Sequence, residues 1–250
     1  MRRPCEVRDL GRLGWPEAYR VQQQLVEERK AGRIPDQLLF VEHSHVVTLG
    51  RNAHLSNILA SPEMLSRAGV DVHETNRGGD VTYHGPGQVV GYPIFDLRDW
   101  KRDVRAYVKA IVAAIAGMLG EYGIEAGPDP DAIGVWTGGK KIAAIGVHIS
   151  RWVTSHGFAL NVDTDLSYYR YIVPCGLSKP VTSMQDAGAV GASRDRVIEQ
   201  LTRHFAEVFD LDVAFPIPSA GDNEVVLTFQ EHAGNEGRGG PCPLPWRKYD

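Results

Sequence analysis

The clearest periodic pattern in the chain lies between residues 102 and 122. Apolar side chains recur there at steps of three and four residues, which places them on one face of a helix. They are Val104, Tyr107, Val108, Ile111, Val112, Ile115, Met118 and Leu119. A similar pattern at 194–209 predicts an amphipathic helix with Ser193 as its N-cap. Residues 16–31 predict a further helix, which Pro16 opens.

Strand patterns lie between these helices. Apolar and β-branched residues at 37–50 predict one long strand or two short ones, and residues 88–97 predict another. The pattern at 76–87 predicts a turn, a short strand and a second turn. Residues 141–150 and 152–162 predict two strands that pair as a hairpin. Because helices and strands mix without regular alternation, we expect an α/β or α+β domain with a mixed sheet.

Composition is that of an ordinary globular protein, with 43% hydrophobic and 23% charged residues in a chain of 250. We expect one domain over 1–215 and a Gly- and Pro-rich, loosely ordered tail over 216–250. The net charge of −4 disfavours a nucleic-acid partner. No run has the length of a transmembrane helix and no signal-peptide core is visible, so we expect no membrane association.

The three cysteines, Cys5, Cys175 and Cys242, are far apart and form neither a disulfide framework nor a CxxC metal motif. A reducing cytoplasm is the simplest setting for them. Cys175 lies between Pro174 and Gly176, on a constrained turn. A lone cysteine is more often an idle loop residue than a nucleophile, so a catalytic role requires partners elsewhere in the chain.

The candidate metal ligands are Glu42, His43 and His45, which lie close together in the sequence. We expect the two histidines to share one strand face. Two ligands do not make a site, and the cysteines supply no third. We therefore expect no zinc.

Four glycine-containing segments carry side chains of types that take part in catalysis. They are RGGDVTYHGPG (77–87), GGKKIAAIG (138–146), SHGFALNV (155–162) and VPCG (173–176). None is a phosphate-binding Walker loop or a dinucleotide motif. A nucleophilic cysteine needs a base or cation nearby, and the candidates are Lys141, His84 and His156. An ammonium group would favour the reactive thiolate.

Together the segments resemble the lipoyl(octanoyl) transferases, the octanoyl-[acyl-carrier-protein]–protein N-octanoyltransferases of lipoate biosynthesis. The resemblance covers about residues 6–210 and rests on RGGDVTYHGPGQVVGYPI, KIAAIGVHIS, SHGFALNV and VPCG, in the family's order and at similar spacing. VEHSHVVTLGR also resembles a family block, except that family members usually carry proline where Ser44 and His45 stand. The resemblance implies the fold of lipoate- and biotin-protein ligases, a mixed sheet flanked by helices.

The resemblance also implies residue roles. Cys175 would be the acyl-carrying nucleophile, and Lys141 rather than Lys140 would tune it. The acyl site would be lined by Arg77, Gly78, Gly79, Asp80, Val81, Thr82, Tyr83, His84, Ala144, Ile145, Gly146, Gly157, Phe158 and Ala159. No metal or cofactor is implied.

The implied reaction takes octanoyl from octanoyl-acyl carrier protein to a lysine amine of lipoyl domains. Those domains belong to the E2 subunits of 2-oxoacid dehydrogenases and to the H protein of glycine cleavage. Two alternatives are an ATP-dependent lipoate or octanoate ligase on the same fold, and a non-catalytic module that binds acyl groups or carrier domains. The presence of both Cys175 and Lys141 favours the transferase.

Overall fold

The structure is a computed structural model that describes residues 2–173 and 179–214. The helices in these residues are α1 (Trp15–Lys30), α2 (Pro62–Arg67), α3 (Val104–Gly120) and α4 (Arg194–Val208). The strands are β1 (Arg3–Arg12), β2 (Asp36–Glu42), β3 (Val46–Leu49), β4 (Asp71–Glu74), β5 (Val81–His84), β6 (Gln88–Ile94), β7 (Val135–Thr137), β8 (Lys140–Ser150), β9 (Val153–Asn161) and β10 (Leu211–Ala214). Cys175 and the predicted tail at 216–250 lie outside the described residues.

Two sheets organise the chain. The main sheet has seven strands in the order β10-β1-β2-β6-β9-β8-β7, and the small sheet has three in the order β4-β3-β5. In the main sheet β1 runs parallel to both β10 and β2, whereas the pairs from β2 through to β7 are antiparallel. The prediction of a mixed sheet flanked by helices is confirmed.

The helices cover both faces of the main sheet. On one face, α3 and α4 bury Ile111, Ile115 and Phe205 in the largest apolar core. On the other face, Ala18 and Leu25 of α1 pack against the sheet in a second core. Full burial of one side chain of leucine or phenylalanine size contributes about 1.5–3 kcal/mol, so both layers hold the sheet rigidly in place.

The strongest sequence patterns correspond to observed elements. The helix predicted at 102–122 is α3, and the predicted hairpin is the antiparallel pair β8–β9. Ser193 caps α4 as predicted, since its side chain accepts a hydrogen bond from the N–H of Arg196 at 3.4 Å. The stretch at 37–50 forms two strands that belong to different sheets, β2 and β3. None of the described helices combines the length and apolarity needed to cross a bilayer.

Five elements were not predicted, namely β1, β4, β7, β10 and α2. Four of them have only three to six residues, which is too short for a period to be visible. In the longer β1, the buried Cys5 and Val7 alternate with polar neighbours that conceal the apolar side of the strand. Its pairing with β2 and β10 determines this strand more than its own composition does.

Candidate active site

A narrow cavity of about 40 Å³ lies where the small sheet and α1 meet the main sheet. Most of the predicted acyl-site residues line it: Arg77, Gly79, Asp80, Thr82, His84, Ala144, Ile145, Gly146, Gly157, Phe158 and Ala159. Five lining residues were not predicted: Trp15, Thr48, Val90, Tyr92 and His156. The cavity therefore draws on both sheets and on α1.

The floor of the cavity consists of very small residues on β8 and β9. Ala144 lies opposite Ala159, and Gly146 lies opposite Gly157. Directly opposed residues of an antiparallel pair share one face of the sheet, so these four positions form a continuous strip. No side chain on the strip is larger than a methyl group.

Crowding requires glycine at two floor positions. A Cβ atom at position 157 would overlap the carbonyl oxygen of Gly91 on the neighbouring strand. A Cβ atom at position 146 would lie 3.0 Å from the carbonyl oxygen of Gly78. The Gly78 N–H also donates to the Val147 carbonyl at 2.9 Å, which ties the loop before β5 directly onto β8.

The roof of the cavity is polar, but its groups bond to one another. Thr48 lies opposite Thr82, and His84 follows on the same face of the small sheet. The Arg77 guanidinium donates to the Thr48 carbonyl at 2.6 Å and to its hydroxyl at 3.0 Å. That hydroxyl lies 3.4 Å from Nε2 of His84. These contacts satisfy the buried polar groups of the roof within the protein itself.

Some of the predicted acyl-site residues have side chains that pack in the apolar cores. Val81 and Tyr83 lie on the far face of the small sheet, where they pack in the core that contains Leu65 of α2. The side chains of Ile145 and Phe158 pack in the α3–α4 core, although both residues also line the cavity. Alternation along each strand separates them from their lining neighbours.

Asp80 links the cavity to the chain that precedes the VPCG segment. Its carboxylate accepts hydrogen bonds from the backbone N–H groups of His54 and Val81 and, at 2.5 Å, from the side-chain amide of Asn57. The Asn57 carbonyl in turn accepts the N–H of Val173 at 2.7 Å. Asp80 therefore fixes the turn that holds residue 173.

Lys141 anchors the chain that follows the same segment. It is 6% exposed on β8. Its N–H donates to the Pro180 carbonyl, and its carbonyl accepts the Thr182 N–H, both at 2.9 Å. The ammonium nitrogen of Lys141 lies 5.0 Å from the centre of the Trp136 ring. Lys141 is thus bound to the stretch that follows Cys175 and lies three residues before the cavity floor at Ala144.

Cys175, the predicted nucleophile, lies outside the described residues, between Val173 and Lys179. Within the described residues the cysteine is Cys5, which is buried in β1. Burial raises the pKa of the Cys5 thiol, which keeps that thiol protonated and unreactive at neutral pH. Its environment is structural rather than catalytic.

The two histidines considered as bases are buried and neutral. Burial, reinforced by the charge of Arg77, lowers the pKa of His156 to about 3. Burial also holds the pKa of His84 well below its ordinary value. Nε2 of His156 lies 2.7 Å from Oδ1 of Asn76, and its ring stacks on Tyr19 at 5.5 Å. Such weakly basic rings are poor proton acceptors for a thiol, which leaves Lys141 as the better candidate.

His43 and His45 do not share a strand face. That prediction was wrong, because both residues lie in the loop between β2 and β3. The ring nitrogens of His43 contact the Leu13 carbonyl at 2.8 Å and the Tyr92 hydroxyl at 2.7 Å, whereas His45 stacks on Tyr168 at 4.1 Å. Within residues 2–173 and 179–214, no group of three or more potential ligands is placed to hold a metal ion.

We expect the buried histidines to make folding stability depend on acid. Burial lowers the pKa of His43 to about 4, below the value near 6.5 of an unfolded histidine. The unfolded chain therefore binds protons first, and the free energy of unfolding falls as the pH drops from about 6.5 towards 4. Each such histidine contributes a slope of about 1.4 kcal/mol per pH unit.

Urea unfolding between pH 7 and pH 5 measures this slope. We expect His43→Gln to reduce this slope by about 1.4 kcal/mol per pH unit, the contribution of one proton. Equal slopes in the wild type and in His43→Gln would show that His43 is not held neutral.

Comparison with known proteins matches this geometry to a family. The model of the lipoyl protein ligase A/B catalytic domain matches residues 16–206. The chain belongs to this family. It is 64% identical over 211 residues to an octanoyltransferase of Solibacter usitatus, covering 84% of this chain and 96% of that protein. It is 51% identical over 210 residues to an octanoyltransferase of Koribacter versatilis, covering 82% and 84%. The predicted membership of the lipoyl(octanoyl) transferases is confirmed.

Solved structures show the same fold. A lipoate-protein ligase A bound with ATP superposes with a TM-score of 0.64 at 18% identity, covering 86% of this chain and 90% of the other. A bipartite lipoate protein ligase from Thermoplasma acidophilum gives 0.65 at 17% identity, covering 86% and 88%. The predicted likeness to the lipoate ligase fold is therefore confirmed.

Proposed function

We propose that this member of the lipoyl(octanoyl) transferases moves an octanoyl group from octanoyl-acyl carrier protein, through a thioester on Cys175, to a lysine amine of lipoyl domains. One observation carries the proposal. Strand β8 brings Lys141 and the small-residue floor at Ala144 into one element, and the main chain of Lys141 binds the stretch that follows Cys175. This arrangement supports a site in which a nucleophile, a proton carrier and an apolar slot adjoin one strand.

Short chain segments connect Cys175 to its anchors. One residue separates it from Val173, which Asn57 holds, and four separate it from Pro180, which Lys141 holds. Since an extended chain spans at most about 3.6 Å per residue, these short connections support a thiol that lies near Lys141.

In the first half-reaction the Cys175 thiolate attacks the thioester carbonyl of the carrier-bound octanoyl group. The bond between the carbonyl carbon and the carrier sulfur breaks, and Lys141 donates a proton to the departing carrier thiol. The alkyl chain lies on the strip formed by Ala144, Gly146, Gly157 and Ala159, where its burial contributes about 0.8 kcal/mol per methylene.

In the second half-reaction the lysine amine of a lipoyl domain attacks the acyl-Cys175 carbonyl. The bond from carbon to the Cys175 sulfur breaks, an amide forms, and Lys141 accepts the proton that the amine loses. Conversion of a thioester into an amide is downhill, so neither ATP nor a cofactor enters the balance. The acceptors on this proposal are lipoyl domains of E2 subunits and the H protein of glycine cleavage.

Intact-protein mass spectrometry tests the proposal. The chain is mixed briefly with octanoyl-acyl carrier protein, without ATP and without an acceptor. We expect one octanoyl adduct that maps to Cys175 and is removed by hydroxylamine, and we expect none in Cys175→Ser, because a serine hydroxyl is far less nucleophilic at neutral pH.

Two outcomes would overturn it. Transfer that occurs only with ATP and free octanoate would identify a ligase, since an adenylate would then replace the thioester. Tight binding of the octanoylated carrier with no adduct and no transfer under either condition would identify a binding module.

A further inference from the structure

Two cationic side chains contact the indole ring of Trp136, which pairs with β8 beside Lys141. Besides the Lys141 ammonium at 5.0 Å, the Lys179 ammonium lies 5.1 Å from its centre. An ammonium within about 6 Å of a tryptophan ring centre is attracted by the negative face of the ring, and more strongly when water is excluded. Trp136 and Lys141 are both buried, so their contact forms in a largely dry environment, whereas the side chain of Lys179 is half-buried.

The ring itself is fixed by several contacts. Its Nε1–H donates to the Ala132 carbonyl at 3.1 Å. The main chain of Trp136 exchanges two hydrogen bonds with Gly127, at 2.8 and 2.9 Å. The indole therefore has one orientation against which a flexible lysine can be set.

The second cation carries its own counter-ion. Both carboxylate oxygens of Asp129 accept hydrogen bonds from the Lys179 ammonium, at 2.7 and 2.8 Å. This ion pair fastens residue 179, just after the Cys175 segment, to the loop before β7. It also offsets the charge that Lys179 brings to the ring shared with Lys141.

The stem of Lys141 has a defined path to the ring. A Cβ atom at position 134 would lie 3.2 Å from Cε of Lys141 and 3.3 Å from Nε1 of Trp136. Gly134 also has φ of +145°, a conformation that favours glycine. The absence of a side chain at 134 leaves the space through which the lysine reaches the indole.

We propose that Trp136 is a positioning residue for octanoyl transfer, which holds the Lys141 ammonium over its ring while the Asp129–Lys179 pair secures the adjoining chain. An aromatic face suits this task because it attracts an ammonium group without offering a site for its proton. The ring attracts the charged form of Lys141, so it sets the position of the proton donor before the first half-reaction and again once the lysine has regained its proton. The inference deepens the proposed function and rests on it.

Two substitutions at position 136 distinguish the effect of the aromatic ring from the effect of side-chain volume. Trp136→Phe keeps an aromatic face, whereas Trp136→Leu keeps apolar volume without one. We expect the leucine variant to lose about tenfold in kcat with KM for octanoyl-acyl carrier protein unchanged, and the phenylalanine variant to retain most of the activity. Melting temperatures measured in parallel identify any loss that is due to unfolding.

A double-mutant cycle provides the deciding readout. If Trp136 acts through Lys141, Trp136→Leu has no further effect on the acylation rate once Lys141 is alanine. A full additional loss in that background, or equal activities of the Leu and Phe variants, would overturn the inference. Lack of an acyl adduct in the wild-type protein would instead overturn the proposed function, so the two failures are distinguishable.

Discussion

Replacement of Lys141 by alanine is expected to slow octanoyl transfer by about 10²- to 10⁴-fold, the range that a positioned proton donor and acceptor contributes. Both half-reactions of the proposed mechanism pass a proton through this side chain, so both the acylation and the transfer step should slow. Single-turnover measurements with octanoyl-acyl carrier protein, and then with a lipoyl domain, resolve the two steps.

Two matched variants make the Lys141 result specific. Lys141→Arg keeps a positive charge that cannot be released near neutral pH, and it is expected to be nearly as slow as alanine. Lys140→Ala removes the neighbouring ammonium, which is exposed at the start of β8, and should behave as wild type. Equal losses at positions 140 and 141 would point to a general effect of charge and would contradict the assignment.

Enlarging the cavity floor should change which acyl chains are accepted. Ala144→Leu adds three carbons to the strip opposite Ala159. If these displace about three methylenes of octanoyl, the loss of roughly 2.4 kcal/mol lowers kcat/KM for octanoyl by about 60-fold. A butanoyl donor, which needs less of the strip, is expected to react nearly as fast as with the wild type.

The comparison needs a control for the added leucine. Ala113→Leu adds the same carbons at an exposed position of α3 and should leave both donors unaffected. The ratio of octanoyl to butanoyl rates is the decisive quantity, because a loss of folded protein lowers both rates together. An unchanged ratio in Ala144→Leu would show that the alkyl chain lies elsewhere.

Local patterns in the sequence were sufficient to predict part of the fold and part of the candidate site. The spacing of Ile111, Ile115 and Met118 determines α3, because one apolar face of a long helix leaves few alternatives. The residues of the predicted acyl site were identified from the family resemblance, because they lie together in short glycine-containing motifs. Neither inference required knowledge of which strands are neighbours.

The remaining lining residues depend on tertiary packing. Val90 and Tyr92 alternate along β6, but their face is set by the pairing of β6 with β2 and β9, which no local signal reveals. Trp15 enters the cavity because α1 packs across the main sheet. His156 is visible as a candidate, yet its neutral state follows from burial and from the charge of Arg77. The register of the strands would have indicated these positions.

The two anchors of the Cys175 segment belong to different sheets. Asn57, which holds Val173, is tied through Asp80 to the small sheet, whereas Lys141, which holds Pro180 and Thr182, belongs to the main sheet. The acyl slot lies between the same two sheets. If one sheet slides against the other, the width of the slot therefore changes. The two ends of the segment between Val173 and Pro180 move relative to each other at the same time. On the proposed mechanism, an acyl group that fits the slot poorly would therefore also displace the segment that carries the thiol.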